Sequence, residues 1–325
     1  MSDQAIIGPN GKFTTKFESI LDTVGNTPLV RLGKISPNQK VSIYAKLEGT
    51  NPTGSVKDRI AKYMIDKAEE DGLIKANTTI LEATSGNTGI SLAMIGCLKG
   101  YKVKVIMPEN VSEERVQLLK AYGASINFSD GSKGTNGSIL VAQDMALKDD
   151  SYFMPYQYGN EANPRAHYET TAEEIIRDLP EADIFVAGLG TGGTLMGIGR
   201  RLKEHNPNVK IIAVAPNPDD IIQGLRSLEE GFIPPIIDLS VLDSRIMVES
   251  KEAFYFTREL MKREGLFAGI SSGSVIAAAR RIAAKMDTGN IVCLLADGGW
   301  KYLSTNLWTT DFGKIEGVVE GKIWW

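Results

Sequence analysis

Strand-length apolar runs alternate with helical windows along almost the whole chain, and few architectures accept that order. Residues 41–47, 79–83, 103–107, 125–128, 184–187, 210–214 and 291–295 are short apolar runs bounded by turn residues, as strands are. Between most of them, 56–70, 89–98, 112–121, 136–147, 193–205 and 274–285 repeat apolar residues at helical spacing. The alternation predicts open, mostly parallel α/β sheets with right-handed crossovers. The 325 residues suffice for two such lobes. A polar segment at 156–163 separates two βα runs, and the early strands within 27–47 are assigned to the second lobe. A smaller N-terminal α/β domain is therefore expected from 1–20 and 49–160, and a larger C-terminal one from 21–48 and 161–325. Ligands of such sheets sit at the carboxyl ends of the strands.

Lys57 heads one of the helical windows. Ile60, Ala61, Met64, Ile65 and Ala68 follow it on the same face, whereas Arg59, Lys62, Asp66, Lys67, Glu69 and Glu70 take the other side. A lysine at the head of a buried stripe needs a counter-charge, loses its proton, or is used covalently as a Schiff base. The bland alternative is a stem lying on the core with the ammonium reaching solvent beside Asp58.

Four loops of unusual composition stand at strand ends. Thr84-Ser85-Gly86-Asn87-Thr88-Gly89 puts hydroxyls, an amide and two glycines at a helix start, which suits a carboxylate or phosphate and exceeds what capping requires. Gly188-Leu189-Gly190-Thr191-Gly192-Gly193-Thr194 is a second anion cradle. As a dinucleotide fingerprint it is poor, because no acidic residue closes the next strand, and a compact phosphate monoester fits better. Gly269-Ile270-Ser271-Ser272-Gly273-Ser274 and Ala296-Asp297-Gly298-Gly299 complete the set. A buried lysine, a phosphate cradle and a carboxylate loop on one sheet edge describe a site for pyridoxal 5′-phosphate acting on an amino acid.

Composition narrows the partners. A formal net charge of −4, from 36 basic and 40 acidic residues without a dense basic run, argues against nucleic acid. No apolar stretch approaches a membrane span, and no secretory signal is visible at the start, so the cytoplasm is expected. Two histidines, His167 in a polar helical start and His205 at a helix end, are too few for a His-rich metal site, and no metal is expected. Cys97 and Cys293 both read as small core residues.

Asn51-Pro52-Thr53-Gly54-Ser55-Val56-Lys57-Asp58-Arg59, the Thr84 to Gly89 loop, Gly190 to Thr194 and Gly269 to Gly273 occur in order, and together they resemble the cysteine synthase family of fold-type II pyridoxal phosphate enzymes. The likeness extends over 26–305 and implies a tryptophan synthase β-like fold, two doubly wound open-sheet domains with the active site between them. It implies that Lys57 carries pyridoxal 5′-phosphate as a Schiff base and serves as general base, and that Asn87 bonds the cofactor's phenolic oxygen. Gly190, Thr191, Gly192, Gly193 and Thr194 would hold the phosphate, and Ser271 would face the pyridine nitrogen. Thr84, Ser85, Thr88 and Gln157 would bind the substrate carboxylate. The implied reaction is β-replacement on an O-activated serine, through an enzyme-bound aminoacrylate, to give L-cysteine.

The short 216–223 segment leading to Gly224-Leu225-Arg226, with Trp300-Lys301 and the tail 320–325, resembles the branch that uses O-phospho-L-serine. Arg226 is then the cation for the leaving phosphate. O-acetylserine use, cystathionine formation and cysteine desulfhydration share this chemistry and differ in the pocket. The sulfur donor is sulfide, thiosulfate or a carrier-protein thiocarboxylate, and a homodimer is implied. Ile323-Trp324-Trp325 is read either as packing on the protein's own flank or as a lid.

Overall fold

The computed structural model describes residues 16–75, 77–218 and 220–310. The chain begins with β1 (Leu29–Leu32) and β2 (Val41–Leu47), then crosses through α1 (Lys57–Glu70) into β3 (Thr79–Ala83), α2 (Asn87–Lys99), β4 (Lys102–Pro108), α3 (Glu113–Ala121), β5 (Ser125–Ser129), α4 (Gly134–Lys148) and β6 (Tyr152–Phe153). It returns through α5 (Ala162–Ala166) and α6 (Ala172–Asp178) to β7 (Ile184–Gly188), α7 (Gly193–His205), β8 (Lys210–Pro216), β9 (Ser244–Val248), α8 (Ser250–Glu259), α9 (Ile270–Ala283) and β10 (Gly289–Leu295). Two sheets result, one of six strands in the order β1-β2-β10-β7-β8-β9 and one of four in the order β5-β4-β3-β6. Every pairing is parallel except β1 with β2.

Both sheets are covered on both faces, which is why their strands read as continuous apolar runs. Val186, Ile212, Val214, Ile291 and Cys293 point into one core of the large sheet, and Phe185, Ala187, Ile211, Ala213, Val292 and Leu294 into the core on its other side. The small sheet divides likewise, with Ile80, Val103 and Val105 on one face and Leu81, Ala83 and Ile106 on the other.

The strands and helices expected from the alternation are present. Five elements escaped it. β6 has two residues and β9 is a half-exposed edge, so neither carries a strong period. α5 and α6 flank a π-helical turn, His167–Thr171, with α5 starting at the end of the polar segment 156–163 taken as the boundary. α8 falls in a stretch for which the alternation predicts no helix. Among the described residues no helix is long and apolar enough to cross a membrane.

Three residues depart from expectation. Arg59, assigned to the solvent side of α1, is buried, because α1 packs against both α2 and α5 and has little free face. Cys97, assigned to the core, is exposed, while Cys293 is buried as expected. His167, placed in a polar helix start, is also buried. The tail 323–325 lies outside the described residues.

Candidate active site

The segment bearing Lys57 is stitched to the end of β10. Val56 N–H donates to Ala296 O at 2.8 Å, Gly298 N–H donates to Gly54 O at 3.1 Å, and Ser55 and Asp297 form an antiparallel bridge. Gly54 takes φ +78° with its Cα against the Trp300 ring, so a Cβ there would be both strained and 2.8 Å from the indole. Asp58 secures the first turn of α1 from inside, accepting from Thr53 N at 2.7 Å, from Ser91 Oγ at 2.5 Å and from the Thr53 hydroxyl. The expected stripe of Ile60, Ala61, Met64, Ile65 and Ala68 is buried. Lys57 itself is half-buried at the cavity wall. Burial lowers its pKa, against the opposing pull of Asp297 and Glu48.

Beneath it lies a dry ionic cluster. Arg59 pairs with Glu48 and Glu174 at 2.7 Å each, and Lys46 reaches Glu174 at 2.7 Å. The four come from β2, the turn after it, α1 and α6, so the lysine-bearing helix is anchored to the large sheet by charge as well as by packing.

The loop after β3 meets the segment that follows β6. Thr88 Oγ1 donates to Gln157 Oε1 at 2.7 Å, and Gln157 Nε2 donates to Ala83 O at 3.1 Å. Asn163 Nδ2 donates to Gln157 O at 2.7 Å and to Thr191 Oγ1 at 3.1 Å, tying this loop to the one after β7. Gly86 leaves room for Arg115, whose Cδ would lie 2.4 Å from a Cβ there.

The loop after β7 owes its shape to absent side chains. A Cβ on Gly190 would stand 2.9 Å from Gly224 O, and one on Gly193 would stand 1.9 Å from Asn163 Oδ1. Gly192, at φ +93°, turns the chain into α7, whose N-terminal end, with Gly192 and Thr194 in the cavity lining, has the polarity that favours an anion. Thr194 Oγ1 is 3.3 Å from His167 Nε2, and His167 Nδ1 is 3.0 Å from Thr171 Oγ1. Burial, then the Arg59 charge, pulls the His167 pKa down to about 3, so the imidazole is neutral. Ser271, buried in the first turn of α9, lies across from Gly224.

Two adjoining cavities meet at Lys57. One is lined by Thr84, Ser85, Asn87, Thr88, Gln157 and Arg226, the other by Gly192, Thr194 and Ser271, and both include Gly190 and Thr191. Of the residues given a cofactor or substrate role in the sequence, Gly193 alone lies outside these linings, at the start of α7. Arg226 donates to Asn136 Oδ1 at 2.6 Å and lies over the rings of Tyr158 and Phe232, 5.5 and 5.0 Å from their centroids.

Sequence reading missed several members. Arg115 lines the first cavity, donating to Ser85 O and to Gln223 Oε1 at 3.2 Å each. Behind Asn87 stand Lys301, which donates to Asn87 Oδ1 at 2.8 Å, and Asp297, which accepts from Asn87 Nδ2 at 2.7 Å and from Tyr302 OH at 2.6 Å. Asp297 does stand in one of the four unusual loops, whereas Lys301 carries no local signal beyond its place beside Trp300 in the branch-like segment.

A cavity with an amine of lowered pKa at its centre, a helix-start glycine cradle on one side and a hydroxyl-rich helix start on the other fits a phosphorylated aldehyde and an amino acid. Fold and site together define a fold-type II pyridoxal phosphate enzyme. Residues 20–297 match the family model described as pyridoxal-phosphate dependent enzyme. The chain is 46% identical over 302 residues to a cysteine synthase of Aquifex aeolicus, covering 90% of this chain and 92% of that protein. It is 42% identical over 300 residues to a probable cysteine synthase of Bacillus subtilis, covering 89% and 96%. A crystal structure of O-ureido-L-serine synthase superposes with a TM-score of 0.86 at 40% identity, over 91% of this chain and 96% of that one. The chain belongs to the pyridoxal-phosphate-dependent enzymes, and within them to the cysteine synthase family.

Proposed function

We propose that this enzyme makes L-cysteine by β-replacement, taking O-phospho-L-serine as its activated serine and adding a sulfur nucleophile in place of phosphate. The observation that carries this reading is Arg226, a buried guanidinium in the same cavity as Lys57 and the Thr84 loop. Its stacking on Tyr158 and Phe232 holds the planar fork in place, and a fixed fork suits paired bonds to phosphate oxygens.

When bound, pyridoxal 5′-phosphate supplies an electron sink that loosens the substrate's Cα proton. Gly190 to Thr194 would hold its phosphate at the start of α7, with the Thr194 hydroxyl beside neutral His167. Ser271 would be an uncharged partner for the pyridine nitrogen and would keep the sink moderate. Lys57, favoured as a neutral amine by burial, carries the cofactor and takes the Cα proton. Thr84, Ser85, Thr88 and Gln157 orient the substrate carboxylate, and Arg226 receives the leaving phosphate. The cytoplasm and a homodimeric assembly belong to the same reading.

Steady-state rates with O-phospho-L-serine and O-acetyl-L-serine test it. Wild type should favour the phosphate ester, and Arg226→Ala should lower kcat/KM for that ester by about 2–5 kcal/mol, more than tenfold in rate, while sparing the acetyl ester. A wild-type preference for O-acetyl-L-serine, or equal loss on both substrates, overturns the assignment.

A further inference from the structure

We propose that Lys301 is a positioning residue for the cofactor, locking the side-chain amide of Asn87 in the one orientation that leaves an N–H for the cavity. The inference rests on the reading that Asn87 faces the bound cofactor. It concerns a residue to which that reading gives no role.

An asparagine amide presents an oxygen acceptor and two N–H donors, and a half-turn about its last bond exchanges them at small steric cost. At Asn87 the two neighbours remove that freedom. An ammonium has only hydrogens to offer, and Lys301 Nζ lies 2.8 Å from Oδ1. An ionised carboxylate only accepts, and Asp297 Oδ2 lies 2.7 Å from Nδ2. Turning the amide would set N–H against ammonium and carbonyl against carboxylate. Nδ2 spends one hydrogen on Asp297, and the second remains for an acceptor in the cavity that Asn87 lines.

The clamp is itself held. Lys301 is fully buried on the 3₁₀ turn Gly299–Thr305, with its ammonium over the Trp300 ring at 5.3 Å. Asp297 is fixed by Tyr302 OH at 2.6 Å. Its Oδ1 is buried and makes no hydrogen bond, a cost that only strong attraction to nearby positive charge offsets. A buried lysine with a single side-chain acceptor, an amide of the site, is poorly explained as scaffolding.

The test uses the full chain reconstituted with pyridoxal 5′-phosphate and reads the visible absorption band and the cofactor dissociation constant, with thermal melting alongside. Lys301→Met should shift the band and weaken cofactor retention roughly tenfold, the scale of one charge-assisted hydrogen bond. Lys301→Arg, still a pure donor, should restore both. Should Lys301→Met not fold, Lys301→Gln, neutral and able to present either end, takes its place: it should shift the band and weaken retention several-fold, and a wild-type band and affinity there overturns the lock. A wild-type band and affinity in Lys301→Met, or equal impairment in Met and Arg variants, overturns the lock. Asn87→Ala separates the layers: if its band and affinity match wild type, the placement of Asn87 at the cofactor fails, and the lock with it. If Asn87→Ala is impaired and Lys301→Met is not, only the lock fails.

Discussion

Lys57 illustrates how little separates an ordinary surface lysine from a reactive one. Its stem continues a buried stripe and its nitrogen stands where water is scarce, so burial pulls the pKa down while Asp297 and Glu48 limit the fall. Lys57→Ala should fold and still bind pyridoxal 5′-phosphate through the Gly190 to Thr194 cradle, but borohydride should leave no covalent label and turnover should vanish. Retained turnover without added amine would assign the base elsewhere. Ser271→Asp, placing a carboxylate at the pyridine nitrogen, should strengthen the sink and slow loss of the leaving group by at least tenfold, while Ser271→Ala keeps partial activity. Equal rates in wild type and the Asp variant would move that role to another side chain. Lys57, Asn87, Ser271 and the cradle were legible because each lies in a contiguous run whose local chemistry is unusual. Lys301 and Arg115 were not, because their meaning resides in partners far along the chain: Lys301 meets Asn87 across 214 positions and Arg115 meets Gln223 across 108.

At the scale of elements, α5 and α7 cross closely enough that a methyl group matters. A Cβ on Gly197 would stand 2.0 Å from Pro164 O and 2.8 Å from His167 Cβ. Gly197→Ala should therefore cost about 1–3 kcal/mol of stability in denaturant unfolding, the usual scale of overpacking. Because His167 braces Thr194, the same variant should also release cofactor more readily. Gly33→Ala, where a Cβ meets nothing within 4 Å and φ is ordinary, is the control and should be near neutral. Strands and helices with a clear period are readable from the spacing of apolar residues alone. α1 misled at Arg59 because the period identifies one buried face and is silent about a second. There the desolvation of the guanidinium is balanced by two carboxylates contributed from the turn after β2 and from α6, neighbours no periodicity can supply.

For the whole molecule, two buried glutamates set opposite limits on the stable pH range. Arg59 and Lys46 outweigh the burial of Glu174 and lower its pKa from 4.5 to about 2. Its stabilisation is thus present above pH 4.5 and is lost as pH falls through about 2. Glu82, buried without a cation beside it, is raised from 4.5 to about 8, so its contribution is present below pH 4.5 and is lost as pH rises through about 8. Urea unfolding at a series of pH values should show a decline on each side. Glu174→Gln should cost about 3–5 kcal/mol at neutral pH, the price of an uncompensated buried charge, and the difference should shrink towards acid. An undiminished difference in acid would mean that the glutamate acts through packing. The order of strands carries a last consequence, for biosynthesis. β10 is the last strand among the described residues, yet it lies between β2 and β7, and the residues just after it pin the Lys57 loop. A nascent chain arrested on the ribosome before residue 289 would possess the amine, the cradle and the substrate loop, and would have no place to assemble them. The fold thereby withholds the assembled site until β10 and the residues after it have been made.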